Sequence, residues 1–229
     1  MSAPRPKVIG WIIVGASVTA AVFHLYAAGF SPFTALVQRP VHLALMATLG
    51  FLGVGVQFRR SREKEGELDQ EAGPPRIGPL NYVLAGLSVL ACLYLASENQ
   101  ELVSRSGNPT LLDLVAGGVM VVLVLELARR ATGWGLVTVC IMALVYAVSG
   151  PYLPGFLAHR GYGVTRIVEQ LFLSTEGIWG VPLGVSADFV YLFVLFGVVL
   201  DTAGGGALLI ALANKVAGRT RVAPLRRRQ

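Results

Sequence analysis

The stretch 174–197, STEGIWGVPLGVSADFVYLFVLFG, decides how the chain is read. It begins polar, is interrupted by Gly177, Gly180, Pro182 and Gly184, and then runs apolar from Phe189 with one acid, Asp188, at its mouth. A helix in a soluble core has no use for three glycines and a proline within eight residues, because each weakens or breaks it. A membrane segment can use them where a helix is broken and its backbone faces protein or water instead of lipid.

The rest of the chain agrees with a membrane setting. Of 229 residues, 54% are hydrophobic and 14% are charged, and the mean hydropathy is +0.64. Soluble domains carry about 25% charged residues. The apolar residues come in blocks, which predicts an all-α, polytopic integral membrane protein. About six transmembrane helices are expected, at 8–30, 41–58, 80–96, 111–128, 133–149 and 187–200. The first block is longer than the apolar core of a cleaved signal peptide, about 7–15 residues. The second carries Gly50, Gly53 and Gly55, small residues that allow close helix packing. Residues 31–40, with two prolines, read as a polar break, and 97–110 as a polar loop. Thr110 is placed to cap the fourth helix with Asp113 at its third position. Two further segments, 164–172 and 207–216, repeat apolar residues at helical spacing on one side only, the pattern of interfacial amphipathic helices.

Charge gives an orientation. With the N-terminus in the cytoplasm, the inside segments hold fifteen basic residues and the outside segments hold Arg39, Arg105, Arg160 and Arg166. That bias follows the positive-inside rule. The net charge of +6 does not point to nucleic acid, because the basic residues sit in short clusters without an aromatic-interleaved face. Cys92 and Cys140 each lie in an apolar block and read as packing residues.

Ionisable residues within spans are costly and are functional candidates by default. Glu126 has Arg129 and Arg130 three and four positions on, the spacing of a structural ion pair. His24 reads as a helix-bonded or interface-facing ring, and Asp201 as a group facing water at the end of its span. Asp188 either caps the rejoined helix or lines a polar cavity, and Glu176 either caps a half-helix or biases ion entry. Ser186 lies between them. No catalytic constellation is visible, and the three histidines, at 24, 42 and 159, are scattered; an enzyme is not expected.

Four stretches carry a resemblance: RPVHLAL at 39–45, LDLVAGGVMVVLVLELARRATGWGL at 112–136, YAVSGPYLPGFLAHRGY at 146–162, and the stretch 174–197 itself. Together they resemble the fused membrane (permease) subunit of TRAP transporters, tripartite ATP-independent periplasmic transporters, of the type that works with TAXI-type binding proteins. The resemblance implies that 1–130 is a four-helix scaffold like the small membrane subunit. It implies that 131–229 is a connector helix and the start of the large transport subunit. It further implies a multi-pass protein of a bacterial or archaeal cytoplasmic (inner) membrane. Its expected partners are the lipid bilayer, a periplasmic TAXI-type solute-binding protein and the remainder of the large subunit, with no nucleic acid. Uptake of organic-acid-like (C4-dicarboxylate and similar) solutes by sodium or proton symport is implied. No cofactor is expected, and sodium coupling would run through parts of the permease beyond this chain. Glu176, Ser186 and Asp188 are the candidates for lining a transport pathway or capping a broken helix. The family usually has an uncharged residue where Asp188 stands. The basic tail RTRVAPLRRRQ replaces an expected further span, so an N-terminal fragment is expected, with a stand-alone scaffold or assembly protein as the alternative.

Overall fold

A computed structural model describes residues 7–30, 33–53, 78–104 and 107–217. The described residues are all helix, turn and loop, with no sheet among them. The helices are α1 (Lys7–Gly29), α2 (Ala35–Phe51), α3 (Pro79–Ser104), α4 (Leu111–Thr132) and α5 (Trp134–Ser149). Shorter pieces follow: α6 (Val164–Val168), α7 (Val181–Val185), α8 (Tyr191–Thr202) and α9 (Gly205–Ala217). Glu169–Leu173 continues α6 as a π-helical turn, and Ser186–Val190 joins α7 to α8 in the same way, making one continuous span, Val181–Thr202.

Among the described residues, five helices are long and apolar enough to cross a bilayer: Gly10–Gly29, Pro79–Leu102, Leu111–Thr132, Trp134–Tyr152 and Val181–Thr202. Most of their surface is apolar and unburied, as lipid requires; Trp11, Leu90, Val122, Val139 and Phe193 are all more than half exposed.

The second expected span is displaced. The apolar pattern predicts it at 41–58 with Pro40 in the preceding break, whereas α2 starts at Ala35 and ends at Phe51, 17 residues with Pro40 inside. Proline inside a helix loses one backbone bond, but here the bundle covers it: Pro40 is buried, as are His42, Ala44, Ala47 and Phe51 on the same helix. The part of the expected span beyond residue 53, and the charged segment after it, lie outside the described residues. The third helix is longer than its apolar block, running on through Ser97, Glu98, Asn99, Gln100 and Glu101. Glu and Gln are good helix formers, and Leu102 beyond them is buried in the core, which rewards the extension.

The core lies between α2, α3 and α4 and beneath the 169–179 segment. Ala44, Ala91, Cys92, Leu95, Leu102, Met120, Phe172 and Trp179 form one cluster, and Ala47, Phe51, Ala85 and Leu123 a second. The small residues on α2 and α3 let two membrane helices approach closely where no hydrophobic drive separates protein from lipid. Gly117 does the same on α4: a Cβ there would lie 2.5 Å from Val168 Cγ1 and 3.0 Å from Phe172 Cβ. The 164–172 segment therefore presses Val168 and Phe172 into the bundle, although Val164 at its start is exposed.

Helices α2, α3 and α4 run up and down, as side-chain contacts at the two ends show. At one end Arg130 of α4 donates to Asn81 of α3 at 2.8 Å and lies 5.1 Å from the Phe51 ring of α2. Glu126 holds Arg129 by two bonds, at 2.7 and 2.9 Å, and Arg130 by one at 2.7 Å. At the other end α4 begins with the capping box expected from sequence. Asp113 N–H donates to Thr110 Oγ1 at 3.3 Å, and Thr110 N–H donates back to Asp113 Oδ2 at 2.7 Å. Tyr94 donates to the same buried carboxylate at 2.7 Å. The break at 174–180 lies at this second end.

Candidate functional site

The break folds back on the helical turn before it. Ile178 N–H donates to the Leu171 carbonyl at 2.8 Å, and Trp179 Nε1 donates to the Phe172 carbonyl at 2.5 Å. Gly177 permits this, because any Cβ there would run into the backbone of Leu171 and Gln170. Trp179 is fully buried with its ring 5.8 Å from that of Phe172, which anchors the turn in the core. Gly180 and Pro182 then start the next helix; proline is well tolerated in a first turn, where its missing N–H has no helical partner.

α2 supplies the polar partners of this rejoined helix. Arg39 donates to the Trp179 carbonyl, a backbone acceptor that the break leaves without a helical donor. Its guanidinium lies over Gly184, where a Cβ would come within 2.8 Å of Nη2, so a side chain at 184 would displace it. One turn along α2, His42 Nε2 lies 3.2 Å from Ser186 Oγ. Gln38 Nε2 donates to Asp188 Oδ1 at 2.6 Å. In a regular α-helix residues i and i+2 do not face each other, yet Ser186 and Asp188 both reach α2 from the π-helical turn that contains them.

α1 closes the site. His24 Nε2 lies 2.8 Å from His42 Nδ1, and His24 Nδ1 lies 2.7 Å from the Ala20 carbonyl. The Tyr191 ring stacks on His24 with centroids 4.1 Å apart. The two histidines are 1% and 3% exposed, so their ring nitrogens depend on one another and on protein partners. Beside them is an open cavity of about 300 Å³. His24, Gln38, Arg39 and Asp188 form its polar wall, and Phe33 and Leu192 part of its apolar one. A cation and an anion thus face one space at one end of the bundle.

Of the residues singled out from sequence, Ser186 and Asp188 are brought together here. Asp188 lies inside the continuous span Val181–Thr202, bonded to Gln38 and lining the cavity. Glu176 stands apart: it is exposed in the turn, with its N–H donating to Ser174 Oγ at 3.2 Å. Gln38, Arg39, His24 and His42 were not recognised as one group, because 18 residues separate the histidines and 144 separate His42 from Ser186. The available signal was the polar spacing 38, 39, 42 beside the second apolar block, which puts three polar side chains within one turn. His159 belongs elsewhere: its Nε2 lies 3.0 Å from the Tyr146 carbonyl, and it receives the Gly161 N–H at 3.0 Å, fixing the loop after α5.

The long apolar helices among the described residues define a polytopic helical membrane protein. Residues 119–224 match the family described as the tripartite ATP-independent periplasmic transporter, DctM component. A DctM-like permease region therefore covers part of the chain, from within α4 through the break and the span Val181–Thr202 to α9. Such components are transport proteins and not enzymes. No curated protein and no solved structure matches the chain. Ser186 and Asp188 fall within the matched residues; His24, Gln38, Arg39 and His42 precede them.

Proposed function

We propose that the chain is a membrane component of a TRAP-type secondary transporter that takes up organic-acid-like carboxylate solutes. A sodium or proton gradient drives uptake, and a periplasmic TAXI-type binding protein delivers the solute. In this reading residues 1–130 act as the scaffold. Residues 131–229 act as the connector and the opening of the transport subunit. The N-terminus lies in the cytoplasm of a bacterial or archaeal inner membrane. The observation that carries the proposal is the span that follows the break inside the DctM-like region, with Ser186 and Asp188 held near its head by α2. The clustering of Glu126, Arg129 and Arg130 at the opposite end supports the orientation, since basic residues favour the cytoplasmic face.

The test is reconstitution into proteoliposomes with imposed sodium and proton gradients, a TAXI-type binding protein and labelled carboxylates. The chain alone is expected to give no gradient-dependent uptake. Supplying the remaining helices of the large subunit as a second polypeptide is expected to give it. Uptake by the 229-residue chain alone would overturn the division of labour. Stable binding of the second polypeptide without uptake would favour a scaffold with no substrate site of its own.

A further inference from the structure

We infer that His24 and His42 form a site for a single proton, with Ser186 as its reorienting hydrogen-bond partner and Asp188 as its counter-charge. The hydrogen-bond directions follow from one fixed point. The Ala20 carbonyl can only accept, so the His24 nitrogen 2.7 Å from it, Nδ1, carries the N–H. A neutral imidazole holds one N–H, so His24 Nε2 is bare and accepts. The atom 2.8 Å away, His42 Nδ1, must therefore donate. That leaves His42 Nε2 bare, and the hydroxyl of Ser186 at 3.2 Å is its donor. In the neutral state every polar atom of the chain Ser186, His42, His24, Ala20 is satisfied in one direction.

An added proton has one natural entry, His42 Nε2. The new N–H points at Ser186 Oγ, and the hydroxyl turns so that its oxygen accepts and its hydrogen is released to another acceptor. Shifting the shared proton between His42 Nδ1 and His24 Nε2 moves the charge between rings without changing the count. A second proton would set N–H against N–H across 2.8 Å. The pair therefore takes one proton and refuses two.

Among the described residues, the charged and aromatic groups around it are Arg39, Asp188, Tyr191 and Phe23, whose ring meets His24 edge-on at 5.2 Å. Arg39 on α2 opposes the added charge and Asp188 on the rejoined helix favours it, and both line the cavity that His24 reaches. The Tyr191 ring, stacked on His24, favours a cationic ring through its π face. A charge on two buried rings requires a partner, and Asp188 is the acidic residue that lines the cavity with His24. Uptake of the proton thus charges the contact between the α1–α2 pair and the broken helix and reverses the Ser186 hydroxyl. The inference rests on hydrogen-bond geometry and not on the transport reading, so either can fail without the other.

The experiment is ring-nitrogen NMR of the full chain, labelled with 15N-histidine and held in lipid nanodiscs, through a pH titration. Only three histidines contribute, and a His159→Gln variant removes the one outside the cluster. At about pH 8, above the ordinary histidine range, both His24 and His42 should show a protonated Nδ1 and a bare Nε2. On acidification the two rings should shift together in one step that takes up one proton in total. Asp188→Asn should lower the midpoint of that step by about one pH unit, through loss of the favourable neighbouring charge. Ser186→Ala should lower it too. A protonated Nε2 on His24 at alkaline pH would overturn the inference, as would two separate full protonations. So would an unchanged midpoint in a folded Asp188→Asn protein. The tautomers and the proton count are read from the unmodified cluster, so the first two outcomes stand whatever the variants do.

Discussion

Two adjacent glycines on α4 should respond to the same substitution with opposite signs. At Gly117 an added Cβ would meet Val168 Cγ1 at 2.5 Å and Phe172 Cβ and Cδ1 at 3.0 and 3.1 Å. Both neighbours are buried, and Phe172 is packed against Trp179, so neither has free space to retreat into. Overpacking of this kind costs about 1–3 kcal/mol. Replacing a mid-helix glycine by alanine returns about 0.5–1 kcal/mol. The steric cost wins, and Gly117→Ala should destabilise by about 1–2 kcal/mol. At Gly118 nothing lies within 4 Å of the added carbon, so only the propensity gain of about 0.5–1 kcal/mol remains. Cys92 provides the assay. It is buried in the cluster that includes Phe172, and its thiol reacts only when that cluster opens. In a Cys140→Ala background, the labelling rate of Cys92 in detergent should rise about five- to thirtyfold for Gly117→Ala. It should fall for Gly118→Ala. Equal responses at the two positions would refute the claim that the 164–173 segment packs against this face of α4.

Further substitutions probe the other contacts with the same assay. Thr110→Ala removes the capping box and should cost about 1 kcal/mol, with Thr110→Ser recovering most of it. Arg39→Met leaves the Trp179 carbonyl without its donor and should cost about 1–3 kcal/mol. Gly184→Ala should weaken the same contact by crowding the guanidinium, and combining the two changes should cost less than their sum. Arg130→Met removes the bonds to both Glu126 and Asn81 and should cost about 1–2 kcal/mol. Arg129→Met, on the more exposed side, should cost less; the reverse order would contradict the packing at that end.

Local signals in the sequence translated well. The Thr110–Asp113 cap and the Glu126–Arg129–Arg130 set involve residues three or four apart, whose geometry helical pitch alone dictates. The break was visible from Gly177 and Gly180, but Pro182 and Gly184, expected to belong to it, lie inside α7, where proline fits the first turn. What side chains meet at the break was not visible. Arg39, His42 and His24 arrive there through the packing of α1 and α2 against the rejoined helix, and nothing in their local sequence encodes that register. The last span, expected at 187–200, starts already at Val181, and two other helix boundaries differ for related reasons. Pro40 was read as a stop, but buried packing carries α2 through it. The polar residues after Ala96 were read as a loop, but Leu102 draws α3 onward into the core. The π-helical turns at Glu169–Leu173 and Ser186–Val190 have no composition that marks them in advance.

The account depends most on the docking of the span Val181–Thr202 against α2, since the cavity, the histidine pair and the proposed role in transport all sit at that contact. Site-directed crosslinking in native membranes measures it directly. In a chain with Cys92 and Cys140 replaced by alanine, cysteines at positions 38 and 188 should be joined by a short bis-thiosulfonate reagent, because the native side chains are in contact at 2.6 Å. A pair at 38 and 202 should not be joined, because position 202 lies about 21 Å farther along the helix. Crosslinking at 38 and 188 but not at 38 and 202 is the predicted result. Failure at 38 and 188 with both thiols reactive, or joining at 38 and 202, would contradict the placement of the site.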